Sequence, residues 1–189
     1  MAVDFHSARF WAAELFEPAL YPGARAVDAT MGNGGDTLRL CRLVGGEGRV
    51  YAFDIQPEAV GRTCARLEAE GLLNRATLIC AGHEHMAEWV PEPVDAVVFN
   101  LGWLPGAQHG VTTRVETTLR AVDAALTLLK PAGLMTICVY PGHDEGAREL
   151  AALNAWASGL DPKAFDVMAR HYMNQPNDPP RLIAVRKRP

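Results

Sequence analysis

From Arg25 onward, short aliphatic or β-branched segments alternate with longer segments in which apolar residues recur every three or four positions. The short segments predict buried strands and the longer ones amphipathic helices, an alternation typical of βαβ units in a largely parallel sheet. The predicted strands are 25–29, 49–54, 76–80, 94–99, 133–140, 165–173 and 181–187. The predicted helices lie near 36–43, 57–70, 84–89, 114–129 and 144–157.

The connection between the last two predicted strands departs from this alternation. Residues 174–180 are rich in proline and asparagine and too few for a crossover helix, so the final pair of strands is expected to be antiparallel. The pattern therefore predicts a doubly wound α/β fold, with a mostly parallel seven-stranded sheet that ends in a C-terminal antiparallel hairpin. Residues 1–24 are expected to form a helical segment packed on it, within a single domain of 1–189.

Composition narrows the class of protein further. The 189 residues are 49% hydrophobic and 21% charged, which suits one globular core without disulfides or a structural metal. The four cysteines form no C-x-x-C pair, the segment 1–16 does not resemble a signal peptide, and no apolar run reaches roughly 18 residues. We therefore expect a cytoplasmic protein without a membrane segment. The net charge of −4 argues against a general nucleic-acid binder, although a local basic patch remains compatible with it.

A glycine-rich turn, DATMGNGGD, follows the first predicted strand and opens a helix. Glycine allows positive φ and close approach of a ligand to the backbone, but the third glycine of the dinucleotide motif is replaced by Thr37. Asp28 suits a ligand that carries an ammonium, as S-adenosylmethionine does and NAD does not. Asp54, at the end of the second strand, could accept both ribose hydroxyls. The alternatives are a tight turn formed by Gly32 and Gly34, and a solvated strand end or helix cap at Asp54.

His83 and Glu84 follow the third strand, where adenine would lie, and either could contact the base or simply begin a helix. His83 and His85 also form a His-x-His pair, but no carboxylate or cysteine cluster accompanies it, so no metal is expected. The full set of candidate cofactor-binding residues is Asp28, Thr30, Gly32, Asn33, Gly34, Asp36, Thr37, Asp54, Ile55, Gln56, His83 and Asn100.

The fourth strand ends in Asn100, at the edge where open α/β sheets bind their ligands. An amine that attacks a methyl group must be neutral and have its hydrogens held, which the Asn100 side chain and the Leu101 backbone carbonyl could do. Trp103 offers a flat face for stacking a base. These three are the candidate catalytic residues, and the alternatives are a strand-ending turn at Asn100 and a core aromatic at Trp103.

Six sequence blocks resemble one family, the bacterial and plant tRNA (aminomethyl)-2-thiouridine methyltransferases, members of which carry the label "putative rRNA methylase". The blocks are DATMGNGGDT (28–37), YAFDIQPEAV (51–60), FNLGWLPG (99–106), TTRVETTLRAVDAALTLLKPAGL (112–134), VYPGHDEG (139–146) and NQPNDPPRLIAV (174–185). The resemblance implies a Rossmann-like class I methyltransferase fold, S-adenosylmethionine as cofactor, and methylation of the aminomethyl group on a tRNA wobble uridine. It also implies a homodimer and the tRNA anticodon stem-loop as the partner.

Carried over by position, the resemblance implies that Asn100 and Trp103 face the amine. The tetrapeptide Asn100–Trp103 is similar to the N/D-P-P-Y/F/W motif of amino methyltransferases but lacks both prolines, which leaves the backbone geometry at Leu101 open. The candidate substrate-binding residues are His109, Arg114, His143, Tyr172 and Asn174. The two histidines could relay a proton or be ordinary loop residues. Alternative functions are an rRNA, small-molecule or protein-amide N-methyltransferase, and a nucleotide-binding Rossmann module.

Overall fold

The computed structural model of the protein describes residues 6–102 and 112–189. Its strands are β1 (Arg25–Asp28), β2 (Arg49–Asp54), β3 (Ala76–Cys80), β4 (Val94–Asn100), β5 (Leu129–Val139), β6 (Phe165–Arg170) and β7 (Arg181–Lys187). Its α-helices are α1 (Ala8–Phe16), α2 (Gly35–Val44), α3 (Pro57–Ala69), α4 (Met86–Trp89), α5 (Val115–Leu128) and α6 (Asp144–Ser158). Two 3₁₀ turns lie at Leu73–Arg75 and His83–His85.

The strands form a sheet in the order β3-β2-β1-β4-β5-β7-β6. The pairs from β3 to β5 are parallel, whereas β7 runs antiparallel to both β5 and β6. The predicted doubly wound α/β fold with its C-terminal antiparallel hairpin is therefore confirmed. Because the chain order reverses between β1 and β4, the crevice above their carboxyl ends is the expected place for a ligand.

The largest departure from the predicted elements is at β5, which begins at residue 129 rather than 133. Helix α5 ends at Leu128, and the chain passes directly into an irregular start of the strand, with Ala132 at φ 66°. Lys130 belongs to this stretch because its ammonium donates to Asp95 at 2.8 Å. The Lys130-Pro131 pair predicted only the end of a helix, whereas in the structure these two residues belong to the start of β5, where Lys130 contacts Asp95.

Two smaller departures concern the elements at 84–89 and 165–173. The predicted helix at 84–89 is a 3₁₀ turn followed by the four residues of α4. Strand β6 ends at Arg170, and Tyr172 packs against the Trp11 ring of α1 at a centroid distance of 5.2 Å. The Tyr172 hydroxyl also donates to the carbonyl of His6, so it contacts the N-terminal segment.

The sheet separates two apolar layers. One face packs Val27, Phe53 and Phe99 in a cluster that includes residues of α5 and α6. The other face packs Ala26 and Val98 with residues of α1 and α2, among them the buried Trp11 and Phe16 of α1. Successive residues of the central strands β1 and β4 therefore alternate between the two buried layers, because helices cover both faces of the sheet there. No helix in 6–102 or 112–189 is long and apolar enough to cross a bilayer.

Candidate active site

A cavity of about 810 Å³ opens above the carboxyl ends of β1, β2 and β4, at the reversal of strand order. Its size lies within the range typical of small-molecule sites. Its walls come from the glycine-rich turn, the ends of β2 and β4, the turn at His83 and the start of α5. The candidate cofactor residues that line it are Thr30, Gly32, Asn33, Asp36, Asp54, Ile55, Gln56, His83 and Asn100.

Backbone geometry explains the glycines of the turn. Gly32 and Gly34 adopt φ values of 51° and 74°, which glycine tolerates best. A Cβ on Gly34 would lie 2.8 Å from Thr63 Oγ1 and 3.0 Å from Thr63 Cα, closer than real Cβ atoms approach. Thr63 in turn donates to the Gly32 carbonyl at 3.2 Å. Helix α3 therefore packs directly against the turn and holds the cavity floor in place.

Asp28, which the sequence predicts to meet a ligand ammonium, is not among the residues that line the cavity. Its side chain is fully buried, accepting from the Thr37 hydroxyl at 2.7 Å and from the Thr30 backbone N–H at 3.2 Å. Burial raises the pKa of Asp28 to about 7. Thr37, also expected to contact the cofactor, is fully buried beside it. The side chains of both residues therefore lie beneath the turn and not in the cavity. Strand β1 ends at Asp28, and the cavity wall begins with the next residue.

Asp54 lies at the end of β2 with its carboxylate facing the cavity. One oxygen accepts from the Gly32 N–H and the other from the Gln56 N–H, both at 3.0 Å. Desolvation nevertheless raises the pKa of Asp54 above its ordinary value. A carboxylate oxygen has capacity for more than one donor, so Asp54 can still accept from two neighbouring hydroxyls of a ligand. Ile55 beside it is 56% exposed, an unusual amount for isoleucine and suited to covering a flat ligand.

His83 is a buried residue of the cavity wall. Its Nδ1 lies 3.3 Å from the Ala29 carbonyl, and its ring meets Phe99 edge-on at 5.8 Å. Burial lowers the pKa of His83, so the neutral ring is favoured. The two interpretations from the sequence are compatible here, since His83 begins a 3₁₀ turn and also borders the cavity.

Asn100 combines a fixed position with an unused acceptor. Its backbone N–H donates to Thr30 Oγ1 at 2.7 Å, and its Nδ2 donates to Asp36 Oδ2 at 2.5 Å. The amide atom of Asn100 that faces the Asp36 carboxylate is assigned as nitrogen, because an amide oxygen at this place would be repelled by the carboxylate. Among the described residues, the buried Oδ1 has no hydrogen-bond partner. A buried amide oxygen without a donor costs about 1–3 kcal/mol, so this atom is suited to a donor that arrives with a ligand.

Arg9 belongs to the site although the sequence did not indicate it. This residue of α1 donates to Asp36 Oδ2 at 3.0 Å, the same oxygen that Asn100 contacts, and it lines the cavity. Arg66 of α3 also lines the cavity. A methyl group added at Gly35 would lie 3.4 Å from Arg9 Nη2 and 3.6 Å from Arg66 Nη1. Two cations and one carboxylate thus meet at the start of α2, where the helix dipole is also positive.

The remaining predicted residues separate into three groups. Arg114 and His143 line the cavity, and His143 also caps α6 by accepting from the Gly146 N–H. Tyr172 and Asn174 are absent from the described lining, and Trp103 and His109 lie outside the described residues. Within 6–102 and 112–189, no group of three His, Cys, Asp or Glu side chains is placed to hold a metal.

A doubly wound sheet with a glycine-rich turn after β1, a carboxylate ending β2 and an amide ending β4 defines the class I methyltransferases. A family model described as "Putative rRNA methylase" matches residues 50–186 of this chain. The chain belongs to that family.

Solved structures agree with this assignment. A structure described as a putative rRNA-methylase from Clostridium thermocellum is 38% identical, covers 98% of this chain and 100% of its own, and superposes with a TM-score of 0.96. A putative methyltransferase from Streptococcus mutans, solved in complex with SAH, is 34% identical, covers 97% and 99% of the two chains, and gives a TM-score of 0.89.

Among curated proteins, the chain is 38% identical over 175 residues to the chloroplastic tRNA (mnm(5)s(2)U34)-methyltransferase of Arabidopsis thaliana. The match takes in 87% of this chain and 64% of that protein, so the chain spans slightly less than two thirds of its relative's length. A shorter match, 36% identical over 84 residues, is to ribosomal RNA small subunit methyltransferase H of Syntrophobacter fumaroxidans; it takes in 42% of this chain and 26% of that protein.

Proposed function

We propose that the protein is an S-adenosylmethionine-dependent N-methyltransferase that acts on the aminomethyl group of 5-aminomethyl-2-thiouridine at the wobble position of tRNA. The observation that carries the chemistry is the buried Oδ1 of Asn100, an acceptor without a partner among the described residues, at the wall of a ligand-sized cavity. An incoming primary amine brings the N–H donor that this atom lacks. The name of the Arabidopsis relative supports the choice of tRNA.

The cavity residues fit the cofactor by the chemistry of their donors and acceptors. Asp54 would accept from the ribose hydroxyls, Ile55 and His83 would border the adenine, and Asp36 and Arg9 would hold the ammonium and carboxylate of the methionine end. When bound, the cofactor supplies an electrophilic methyl group on a sulfonium. The Arg9–Asp36 ion pair places one positive and one negative group side by side at the cavity wall, which supports recognition of a zwitterion.

The chain's own residues then act by positioning. Asn100 Nδ2 is anchored to Asp36, so its Oδ1 can hold one amine hydrogen and direct the nitrogen lone pair away from it. The amine must arrive unprotonated, since an ammonium has no lone pair to offer. Enclosure of the cavity favours the neutral form, because burial raises the free energy of an unpaired ammonium.

An RNA substrate is compatible with the charges around the cavity. The net charge of the chain is −4, and the cavity lining is mixed in charge, with Arg9, Arg66 and Arg114 beside Asp36, Asp54 and Glu84. Single arginine side chains of this lining can contact phosphates of an anticodon stem-loop without a basic surface elsewhere. A homodimer remains a prediction that rests on the family resemblance, and a cytoplasmic location remains a prediction from the composition of the sequence.

The second candidate substrate is ribosomal RNA, favoured by the match to small subunit methyltransferase H. Nucleoside mass spectrometry of tRNA and rRNA from a strain lacking the gene distinguishes the two. We expect the unmethylated aminomethyl nucleoside to accumulate in tRNA, with rRNA nucleosides unchanged. An unchanged tRNA profile with a missing rRNA methyl group would assign the enzyme to rRNA and refute the proposal.

The role of Asn100 is tested with the purified enzyme. Asn100→Ala removes the amine acceptor, so kcat should fall about 10- to 100-fold, while the affinity for S-adenosylhomocysteine changes much less. Asn154→Ala, at an exposed position on α6, is the control and should match wild type. A kcat of Asn100→Ala equal to that of the control would remove Asn100 from the chemistry.

A further inference from the structure

Glu149 is a buried carboxylate that the proposed chemistry leaves unexplained. It lies on α6 and is 1% exposed. Its Oε1 accepts from the Thr118 hydroxyl of α5 at 2.6 Å, and its Oε2 accepts from the Thr113 hydroxyl at 2.8 Å. Desolvation raises the pKa of Glu149, and the two threonine hydroxyls oppose that effect. Apolar side chains could join α5 to α6 without this cost, so a further role for the carboxylate has to be sought.

The contacts beyond Thr113 supply that role. Because the Thr113 hydroxyl gives its hydrogen to Glu149, its oxygen is available as an acceptor, and it accepts from the Gly102 N–H at 2.9 Å. The Thr113 N–H also donates to the Gly102 carbonyl at 3.3 Å. Thr113 therefore forms hydrogen bonds with both the N–H and the carbonyl of Gly102. The orientation of the Thr113 hydroxyl is in turn set by Glu149.

The position of Gly102 makes this arrangement relevant to the site. Gly102 follows Asn100 and Leu101, and all three line the cavity. Its φ of 120° is accessible to glycine and strained for other residues, so the backbone here needs support from outside the strand. On the other side, the Leu101 N–H donates to the Cys138 carbonyl of β5 at 2.9 Å. The Leu101–Gly102 peptide thus lies between β5 and the Thr113–Glu149 pair.

We propose that Glu149 is a positioning residue that acts through Thr113 to fix the Leu101–Gly102 peptide at the cavity wall, next to the acceptor oxygen of Asn100. The chain of donors runs from the Gly102 N–H to Thr113 and from Thr113 to the carboxylate. Such a chain polarises the peptide to which the N–H belongs, which strengthens the Leu101 carbonyl as an acceptor. The inference rests on the proposed function, since the site it serves is the one that holds the methyl acceptor.

Four single substitutions separate positioning from simple stability. Glu149→Gln keeps the side-chain volume, but its amide can present a donor to Thr113 and so disturb the donor chain. Thr113→Val removes the hydroxyl that connects Glu149 to Gly102. Thr118→Val removes the hydroxyl that connects Glu149 only to α5. Glu145→Gln changes the neighbouring carboxylate of α6, which accepts from the Val115 N–H at 3.3 Å and does not contact Gly102.

We expect Glu149→Gln and Thr113→Val to lower kcat about 10- to 100-fold with an unchanged KM for S-adenosylmethionine, because a small misplacement of reacting groups has effects of this size. Thr118→Val and Glu145→Gln should remain near wild type, although Thr118→Val loses as many hydrogen bonds to Glu149 as Thr113→Val does. Equal activity losses in Thr113→Val and Thr118→Val, with equal shifts of the urea midpoint, would show that Glu149 only stabilises the fold.

The position of the Gly102 amide resonance can be measured without RNA, so it tests the role of Glu149 separately from the proposed tRNA substrate. The amide resonance of Gly102 should move in Glu149→Gln and in Thr113→Val and stay in place in Glu145→Gln, because only the first two change its hydrogen-bond chain. A Gly102 resonance unaffected by Glu149→Gln would overturn the inference. If wild-type enzyme bound S-adenosylhomocysteine but left tRNA unmethylated, the proposed substrate would be wrong, while the Gly102 measurement would still decide the positioning.

Discussion

Asp28 lends itself to a quantitative prediction, because it is a fully buried carboxyl whose pKa is raised from 3.8 to about 7. Each unit of pKa difference between the folded and unfolded states corresponds to about 1.4 kcal/mol. The folded protein holds a proton on Asp28 between pH 4 and 7 that the unfolded chain has already released. The contribution of Asp28 to the free energy of unfolding therefore falls as the pH rises through this range, by about 4 kcal/mol in total.

The substitution that tests this is Asp28→Asn, which removes the charge and keeps the shape. The amide oxygen can still accept from the Thr30 N–H, and the amide nitrogen can donate to the Thr37 hydroxyl, which turns to accept. We expect Asp28→Asn to be more stable than wild type at pH 8, where wild-type Asp28 is ionised. The difference in unfolding free energy between the variant and wild type should grow by about 3 kcal/mol from pH 5 to pH 8.

Urea unfolding of both proteins at the two pH values measures that difference, and Asp95→Asn is the matched control. Asp95 is also buried, but its carboxylate accepts from the Lys130 ammonium at 2.8 Å and from the Arg25 N–H at 2.8 Å. Removing its charge should destabilise the protein by about 1–3 kcal/mol at both pH values. If Asp28→Asn were destabilised at pH 8 as Asp95→Asn is, the Asp28 carboxylate would be stabilised as an ion, and the reasoning from burial would be refuted.

The same variant decides whether Asp28 contacts the cofactor. Because Asp28 lies behind the turn and Asp36 lines the cavity, Asp28→Asn should bind S-adenosylhomocysteine with nearly wild-type affinity in calorimetry. Asp36→Asn should bind it more weakly. A larger loss in Asp28→Asn than in Asp36→Asn would restore the interpretation that the sequence alone suggested.

Two further predictions concern the cavity wall. Arg9→Met should weaken binding of S-adenosylhomocysteine about tenfold or more and leave binding of 5′-methylthioadenosine unchanged, because only S-adenosylhomocysteine carries the carboxylate that Arg9 would meet. Calorimetry with both ligands measures this, and equal losses for the two would exclude the contact. Gly34→Ala should lower the unfolding free energy by about 2 kcal/mol or more, from its positive φ and the contact with Thr63. Gly61→Ala, in open space on α3, should instead be neutral or stabilising in the same urea titration.

The predicted cofactor-binding residues that line the cavity include three that share one physical property. Gly32, Asp54 and Asn100 each follow a buried strand, and the carboxyl ends of parallel strands meet at one edge of the sheet whatever the details of packing. The antiparallel hairpin was predictable for a similar reason, since the connection at 174–180 is too short for any other geometry. Asp28 lies behind the cavity wall, and the spacing could not show this, because it places Asp28 at the end of β1 without showing which of two adjacent residues faces the cavity.

Arg9 and Glu149 were missed because no spacing along the chain connects them to the site. Arg9 reaches Asp36 only because α1 packs on the sheet beside α2, and Glu149 reaches Gly102 only through Thr113, 36 positions earlier in the chain. In both cases a charged side chain from an outer helix acts through one intermediate residue, Asp36 or Thr113, which contacts the end of β4 or the residue just after it. The strand ends therefore fix where the reacting groups lie, whereas the outer helices set the charge and orientation of those groups. Substitution of Arg9 should accordingly alter ligand affinity, and substitution of Glu149 should alter turnover, without displacing the strand ends themselves.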